Sequence, residues 1–265
     1  MDVVVVGVCK DAPRELAKAY NKLSKIPELR SAKWFVVESN SSEQNKQRLF
    51  DMQDVISSLE VVSIGDDNES LSRVDRIRKA RNRYVDEIRS SVPDRVLVID
   101  FDKRLLPLVR IKDVLREAQG NTILTARQYL CYYDVFALKK LGQSGSKPTR
   151  GRLNNWIFRT VPLQIGMTFE SRRGIKVASA FGGLAIYPGR VFTKVDYGKP
   201  GASEESCEHI YFHEAAEKYG FDCYVHPKLV YGLTNEHCFA LSPFFLICGL
   251  LRGLFFREDS IDFVR

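Results

Sequence analysis

An α/β fold, with a mostly parallel central sheet and helices on both faces, is predicted by three features of the chain. Over the first hundred residues, four apolar runs of strand length alternate with three stretches of helix length, the pattern of consecutive β-α-β units. Val96 to Ile99 are four apolar residues in a row, as expected of a strand buried on both faces. At 265 residues, with 45% hydrophobic and 28% charged residues, the chain can bury a large core within one domain.

In order, VVVVGV at 3–8 reads as the first strand, followed by an Ala/Leu helix to about residue 24. KWFVVES at 33–39, a helix near 42–58 and LEVVSI at 59–64 continue the series, and an arginine-rich helix leads to the strand VLVID. Nucleotides bind at the carboxyl ends of such strands. Gly7 to Lys10 and Glu38 to Ser41 are therefore placed where a base and ribose would lie. The second half is less regular. LKKLGQSGSKPTRGRLNN at 138–155 reads as a basic loop. It serves either as a solvated surface segment or as a lid or anionic-acceptor dock carrying Lys147, Arg150 and Arg152. In FGGLAIYPG at 181–189, Gly182 and Gly183 mark a bulge or a point where a sugar lies against the main chain. CEHIYFH at 207–213 opens a helix with Glu208 in its first turn and Ser203 or Ser206 as its cap. No repeat or linker divides the chain, which reads as a single domain.

The chemistry concentrates where VLVID runs into two carboxylates. Side chains two apart on an extended chain share a face, so Asp100 and Asp102 point one way while Phe101 turns to the core. Two hard oxygen donors at a strand end can hold Mg²⁺ or Mn²⁺, with the remaining ligands supplied by water and phosphate. On the preceding helix Val74, Ile77, Tyr84, Val85 and Ile88 form one apolar stripe with Arg81 in its middle. A guanidinium aimed at the interior must meet a carboxylate or a ligand phosphate.

Together these residues resemble the metal-dependent nucleotide-sugar glycosyltransferases of the GT-A fold, in which a strand ending in D-x-D holds the metal. The motif R-x-x-R-x-x-x-x-R-N, here Arg73, Arg76, Arg81 and Asn82, makes the chain similar to the fungal capsule-associated mannosyltransferase family and its bacterial and viral relatives. YYDVFALK at 132–139, FGGLAIYPG, CEHIYFH and HPKLVY at 226–231 follow in matching order over nearly the whole chain. The resemblance implies a Rossmann-like GT-A domain with a nucleotide-binding half at 1–102 and a smaller mixed acceptor-binding half at 103–265. It implies nucleoside contacts at Val8 and Glu38, diphosphate contacts from Arg81 and Arg73, and a donor site that also includes Asn82, Asp134, Gly182 and Gly183. Asp134 is expected beside the sugar and Trp156 near the acceptor. Glu208 is the expected base of an inverting transfer, although the helix dipole alone also favours a glutamate there. His237, with His226 second, is expected to join Asp100 and Asp102 on Mn²⁺ or Mg²⁺.

The implied activity moves a sugar from a UDP- or GDP-sugar to a hydroxyl of a glycan or lipid-linked glycan. The alternatives are a sugar-phosphate nucleotidyltransferase, whose glycine-rich loop after the first strand is missing here, and a carbohydrate-binding protein on a decayed transferase. A net charge of +7 suits anionic partners. It is dispersed and accompanied by no nucleic-acid-binding signature, so nucleic acid is not expected. Six scattered cysteines without a C-x-x-C pair suggest neither a zinc site nor a disulfide framework. The first twenty residues lack a signal-peptide pattern, and a cytoplasmic location is expected. CFALSPFFLICGLLRGLFF at 238–256 is too short an uncharged run to span a bilayer and contains Pro243. It forms either a buried helix or an apolar surface for peripheral membrane contact.

Overall fold

A computed structural model describes residues 1–65, 71–101, 111–142, 160–198 and 207–232. Its elements are β1 (Val3–Cys9), α1 (Pro13–Leu23), β2 (Lys33–Glu38), α2 (Glu43–Val55), β3 (Leu59–Ser63), α3 (Arg73–Ser91) and β4 (Arg95–Asp100). These are followed by α4 (Ile111–Glu117), β5 (Thr122–Arg127), α5 (Val161–Glu170), β6 (Ile175–Val177), β7 (Leu184–Pro188), α6 (Glu208–Glu217) and β8 (Asp222–Val230). The strands form one sheet in the order β3-β2-β1-β4-β7-β5-β8-β6. Neighbours pair in parallel except at β7, antiparallel to both β4 and β5, and at β6, antiparallel to β8.

The alternation along β1 and β4 explains the layers. Val4, Val6, Val96 and Val98 point to one face, where they pack with Ala80, Tyr84, Val85 and Ile88 of α3 and Phe212 and Ala216 of α6. Val3, Val5, Leu97 and Ile99 point to the other, where Leu16, Ala19 and Leu23 of α1, Leu49 of α2 and Val114 and Leu115 of α4 cover them. A strand buried on both faces needs no polar alternation, and the unbroken apolar runs follow from that. Phe101 continues the second face. Asp100 consequently faces α3 and α6.

α3 begins at a reciprocal cap, in which Ser72 Oγ accepts from Asp75 N at 3.1 Å and donates to the Asp75 carboxylate at 2.9 Å. It ends where Val92 turns left-handed (φ 42°) just before Pro93. The apolar stripe holds only in the second half of the helix. Val74 and Ile77 are half-exposed, while Asp75 and Arg78 are buried as an ion pair at 3.2 Å. The cap expected for the helix of Glu208 is also different: the N-cap is Cys207, which makes no side-chain capping bond.

Candidate active site

Parallel registry aligns the ends of three strands, with Val8 beside Asp100 and Cys9 beside Glu38. A cavity of about 490 Å³ opens there. Its wall comes from Val8, Lys10 and Asp11 after β1, Ser39 and Asn40 after β2, Arg73, Arg76, Ile77 and Arg81 of α3, and Asp100 with Phe101. Asp11 (φ 51°) and Asn40 (φ 58°) are both left-handed, a conformation that Asp and Asn tolerate better than other non-glycine residues. A smaller, mostly apolar cavity lies between α1 and α2, around Tyr20, Met52 and Val55, with Asn21 and Asp51 at its wall.

Arg81 is 2% exposed and organises one end of this cleft. Its Nη2 donates to Asp100 Oδ1 at 2.8 Å, its Nε to Glu208 Oε1 at 3.2 Å and its Nη1 to Tyr84 Oη at 3.3 Å. Burial alone would lower the guanidinium pKa, but Asp100, Tyr84 and Glu208 together raise it well above its ordinary value. A carboxylate was one of the two partners the sequence allowed for Arg81, and it meets two carboxylates, Asp100 and Glu208. Asp100 is itself fixed by its backbone: its N–H donates to Gly183 O at 2.9 Å, and its carbonyl accepts from Tyr231 Oη at 3.0 Å.

The remaining expected residues divide. Val8 and Arg73 line the cleft. Glu38 is 2% exposed, and its oxygens accept from Ser41 N at 2.7 Å and Ser63 Oγ at 2.6 Å, which pins the loop after β2. Asn82 clamps the main chain after β7, donating to Gly198 O and accepting from Tyr197 N. The close approach anticipated at Gly182 is real, but it is to protein: at φ +70° an added Cβ would lie 2.0 Å from Ala126 O. Gly182 and Gly183 form a turn immediately before β7, not a bulge within a strand. His226 is bonded to Glu117 at 2.8 Å, while His213 sits buried between Ser179 and Tyr187. His209 is buried and stacked on Phe181. Asp102, His237, Trp156, Lys147, Arg150, Arg152, Ser203, Ser206 and the segment 238–256 lie outside the described residues. The segments Gly7 to Lys10 and Glu38 to Ser41, expected around a base and ribose, bring Val8, Lys10, Ser39 and Asn40 to the wall, whereas no role was expected for Arg76. The i, i+3 spacing of Arg73 and Arg76, which puts both on one helix face, was the available signal for Arg76.

Asp134 is half-buried and accepts from Gly182 N at 2.9 Å. Burial pushes its pKa up, the Gly182 N–H opposes this, and the charges of Asp100 and Glu208 add to the rise, bringing it to about 6. A carboxyl whose folded pKa exceeds its unfolded one binds protons more tightly when folded. Its stabilising contribution is complete below the unfolded value and is lost as pH rises through the folded one. Asp134→Asn retains an acceptor for Gly182 and removes this loss. In metal-free protein its melting temperature relative to wild type is expected to rise between about pH 4 and about pH 7. A difference that stays constant across that range would reject the assignment.

A divalent cation suits what is described of this site. Asp100 is a hard oxygen donor whose side chain is 34% exposed, in a cleft whose wall also includes two arginines one helical turn apart. Mg²⁺ and Mn²⁺ are commonly held by one or two carboxylates together with phosphate oxygens and water. Among the described residues no group of three His, Cys, Asp or Glu side chains could hold a metal, so the described protein ligands alone do not make a closed site.

With the sheet order and strand-end cleft in view, comparison with solved structures gives consistent neighbours. A Pyrobaculum calidifontis mannosyltransferase in complex with GDP-Man and Mn²⁺ matches with a TM-score of 0.53, over 90% of this chain and 59% of its own, at 14% identity. GalNAc-T7 with UDP, GalNAc and Mn²⁺ matches at 0.55, over 88% of this chain and 43% of its own, at 11% identity. S. aureus TarS matches at 0.50, over 87% and 36%, at 15% identity. The chain has the GT-A fold. It spans less than two thirds of each of these proteins, and at such identities the likeness is one of fold. No protein-family model and no curated protein sequence matches the chain. Among the described residues of this GT-A chain no helix is long and apolar enough to cross a membrane.

Proposed function

We propose that the chain is a metal-dependent glycosyltransferase acting on a nucleoside diphosphate sugar, UDP- or GDP-linked, with a hydroxyl of a glycan or lipid-linked glycan as acceptor. Its motif resemblance to the capsule-associated mannosyltransferases favours the same reading, as do the Mn²⁺ and nucleotide-sugar complexes of the structural neighbours. The observation that carries it is the position of Asp100: it ends the central strand at a nucleotide-sized cleft and shares Arg81 with Glu208.

In this reading the nucleoside lies against Val8, Ser39 and Asn40, and the diphosphate lies toward Arg73 and Arg76. Arg81, already engaged by two carboxylates, holds them in place instead of gripping phosphate. Asp100, with Asp102 beyond the described residues, holds the cation. When bound, the cation supplies Lewis-acid stabilisation of the charge on the departing diphosphate. Glu208 accepts the acceptor's proton as the acceptor oxygen bonds to the anomeric carbon and the bond from that carbon to the diphosphate breaks.

A thermal-shift comparison of UDP, GDP and their sugar conjugates, with Mn²⁺ and with chelator, tests the reading. A true ligand at 100 times its Kd should stabilise by about 2.7 kcal/mol. If none of these nucleotides shifts the melting temperature with Mn²⁺ present, the proposal fails. Arg73→Ala and Arg76→Ala are each expected to weaken diphosphate binding about tenfold, the scale of one charge-assisted hydrogen bond, and to leave nucleoside binding unchanged. Isothermal titration with UDP or GDP against the parent nucleoside measures this, and equal losses for both ligands would take the arginines off the phosphates.

A further inference from the structure

We infer that Arg81 is a positioning residue that couples the two working carboxylates: one buried guanidinium joins Asp100 at the end of β4 to Glu208 at the start of α6, so the charge on Glu208 tunes cation affinity at Asp100. The inference rests on the proposed metal role of Asp100. It goes beyond that role by connecting two residues from sequence-distant parts of the chain.

Three observations carry it. The guanidinium has a different partner at each nitrogen, Asp100 at Nη2, Glu208 at Nε and Tyr84 at Nη1, so turning toward one carboxylate means leaving the other. Two aromatic rings also flank it. Phe181 lies 5.1 Å and Tyr197 5.5 Å from the guanidinium carbon, and Tyr84 is tied to Tyr197 by a hydrogen bond of 2.9 Å. Finally, Arg81 is 2% exposed and Glu208 7%, so water screens their interaction weakly.

The direction of the coupling follows from charge. While Glu208 carries its negative charge, the single positive charge of Arg81 is shared between two carboxylates, so Asp100 receives only part of it. Neutralising Glu208 lets the guanidinium act on Asp100 alone, so a cation arriving there gains less. Such coupling between two groups is reciprocal and commonly amounts to fivefold or more in affinity.

Mn²⁺ binding to the intact chain, read from the electron paramagnetic resonance signal of free Mn²⁺, supplies the test. Glu208→Gln should weaken Mn²⁺ binding about fivefold to tenfold, although Glu208 is not proposed as a metal ligand. In an Arg81→Met background the same change should alter affinity by no more than about twofold, because the shared group is gone. Should Arg81→Met fail to fold, Arg81→Lys replaces it, since an ammonium cannot reproduce the planar fork that spans both carboxylates. An unchanged Mn²⁺ affinity in Glu208→Gln would overturn the coupling, as would an equal shift in both backgrounds, which would mean direct action without Arg81. Wild-type protein that binds no Mn²⁺, or binds it equally well after Asp100→Asn, would overturn the metal assignment itself along with the coupling. Binding that Asp100→Asn abolishes and Glu208→Gln leaves intact would overturn the coupling alone.

Discussion

Asp100→Asn is expected to abolish Mn²⁺-dependent binding of nucleoside diphosphates and to lower any transferase turnover by at least about 10²-fold. The amide oxygen can still accept from Arg81 Nη2, so the hydrogen bond that fixes the side chain survives while the anionic donor is lost. The backbone should not move, since Gly183 O and Tyr231 Oη hold Asp100 through main-chain atoms that the substitution leaves in place. Arg81 keeps Glu208 as an ionised partner, so no wholly unpaired buried charge is created. The expected loss of stability is about 1–1.5 kcal/mol, the difference between a hydrogen bond to a charged group and the same bond to a neutral one. Uridine or guanosine should bind the variant as they bind the wild type, because the nucleoside end of the cleft is built from β1 and β2. A variant that retained wild-type Mn²⁺-dependent nucleotide affinity would remove Asp100 from the metal site.

The first half of the fold was legible because its physics is local. β1, β2, β3 and β4 fall within one or two residues of the expected strands. β1, β2 and β4 are buried on both faces and so leave an unbroken apolar signature, while β3 at the sheet edge is only partly buried. The second half was harder to read. β7 is a five-residue strand that runs antiparallel between two strands of the parallel set, and no local pattern announces where a strand will insert. Gly182 shows the same limit: the sequence pointed to a close backbone approach, but whether the partner would be a sugar or Ala126 is a long-range fact.

The site divides in the same way. That Arg81 points inward followed from helical period; that it would join Asp100 to Glu208 did not, because its separation from Glu208 is 127 residues. Glu38 and Asn82 show the same limit from the other side. Each is a polar residue at a position the resemblance associates with ligand, and each has its polar atoms directed to neighbouring protein. A buried polar group must be satisfied by something, and sequence alone does not distinguish a ligand from a loop.

At saturating Mn²⁺, Glu208→Gln is expected to lower turnover by about 10²-fold or more while donor binding survives, if transfer is inverting and Glu208 takes the acceptor's proton. The substitution preserves size and an acceptor for Arg81 Nε, so the helix start should be retained. What it removes is the proton-accepting oxygen and one negative charge at the first turn of α6. The lost charge weakens the bond to Arg81 Nε by about 1–1.5 kcal/mol and forfeits about 0.3–1 kcal/mol at the helix N-terminus, together too little for a loss of fold to imitate a loss of catalysis. Two measurements separate the explanations. Near-normal turnover in the variant would exclude Glu208 as the base, with Asp134 the next carboxyl to test because its pKa of about 6 already approaches the range of a working base. A wild-type product that retained the donor's anomeric configuration would be incompatible with a single inverting displacement. In that event the residual role of Glu208 would be to hold Arg81, and the loss in Glu208→Gln would then follow the Mn²⁺ affinity instead of the basicity of the attacking hydroxyl.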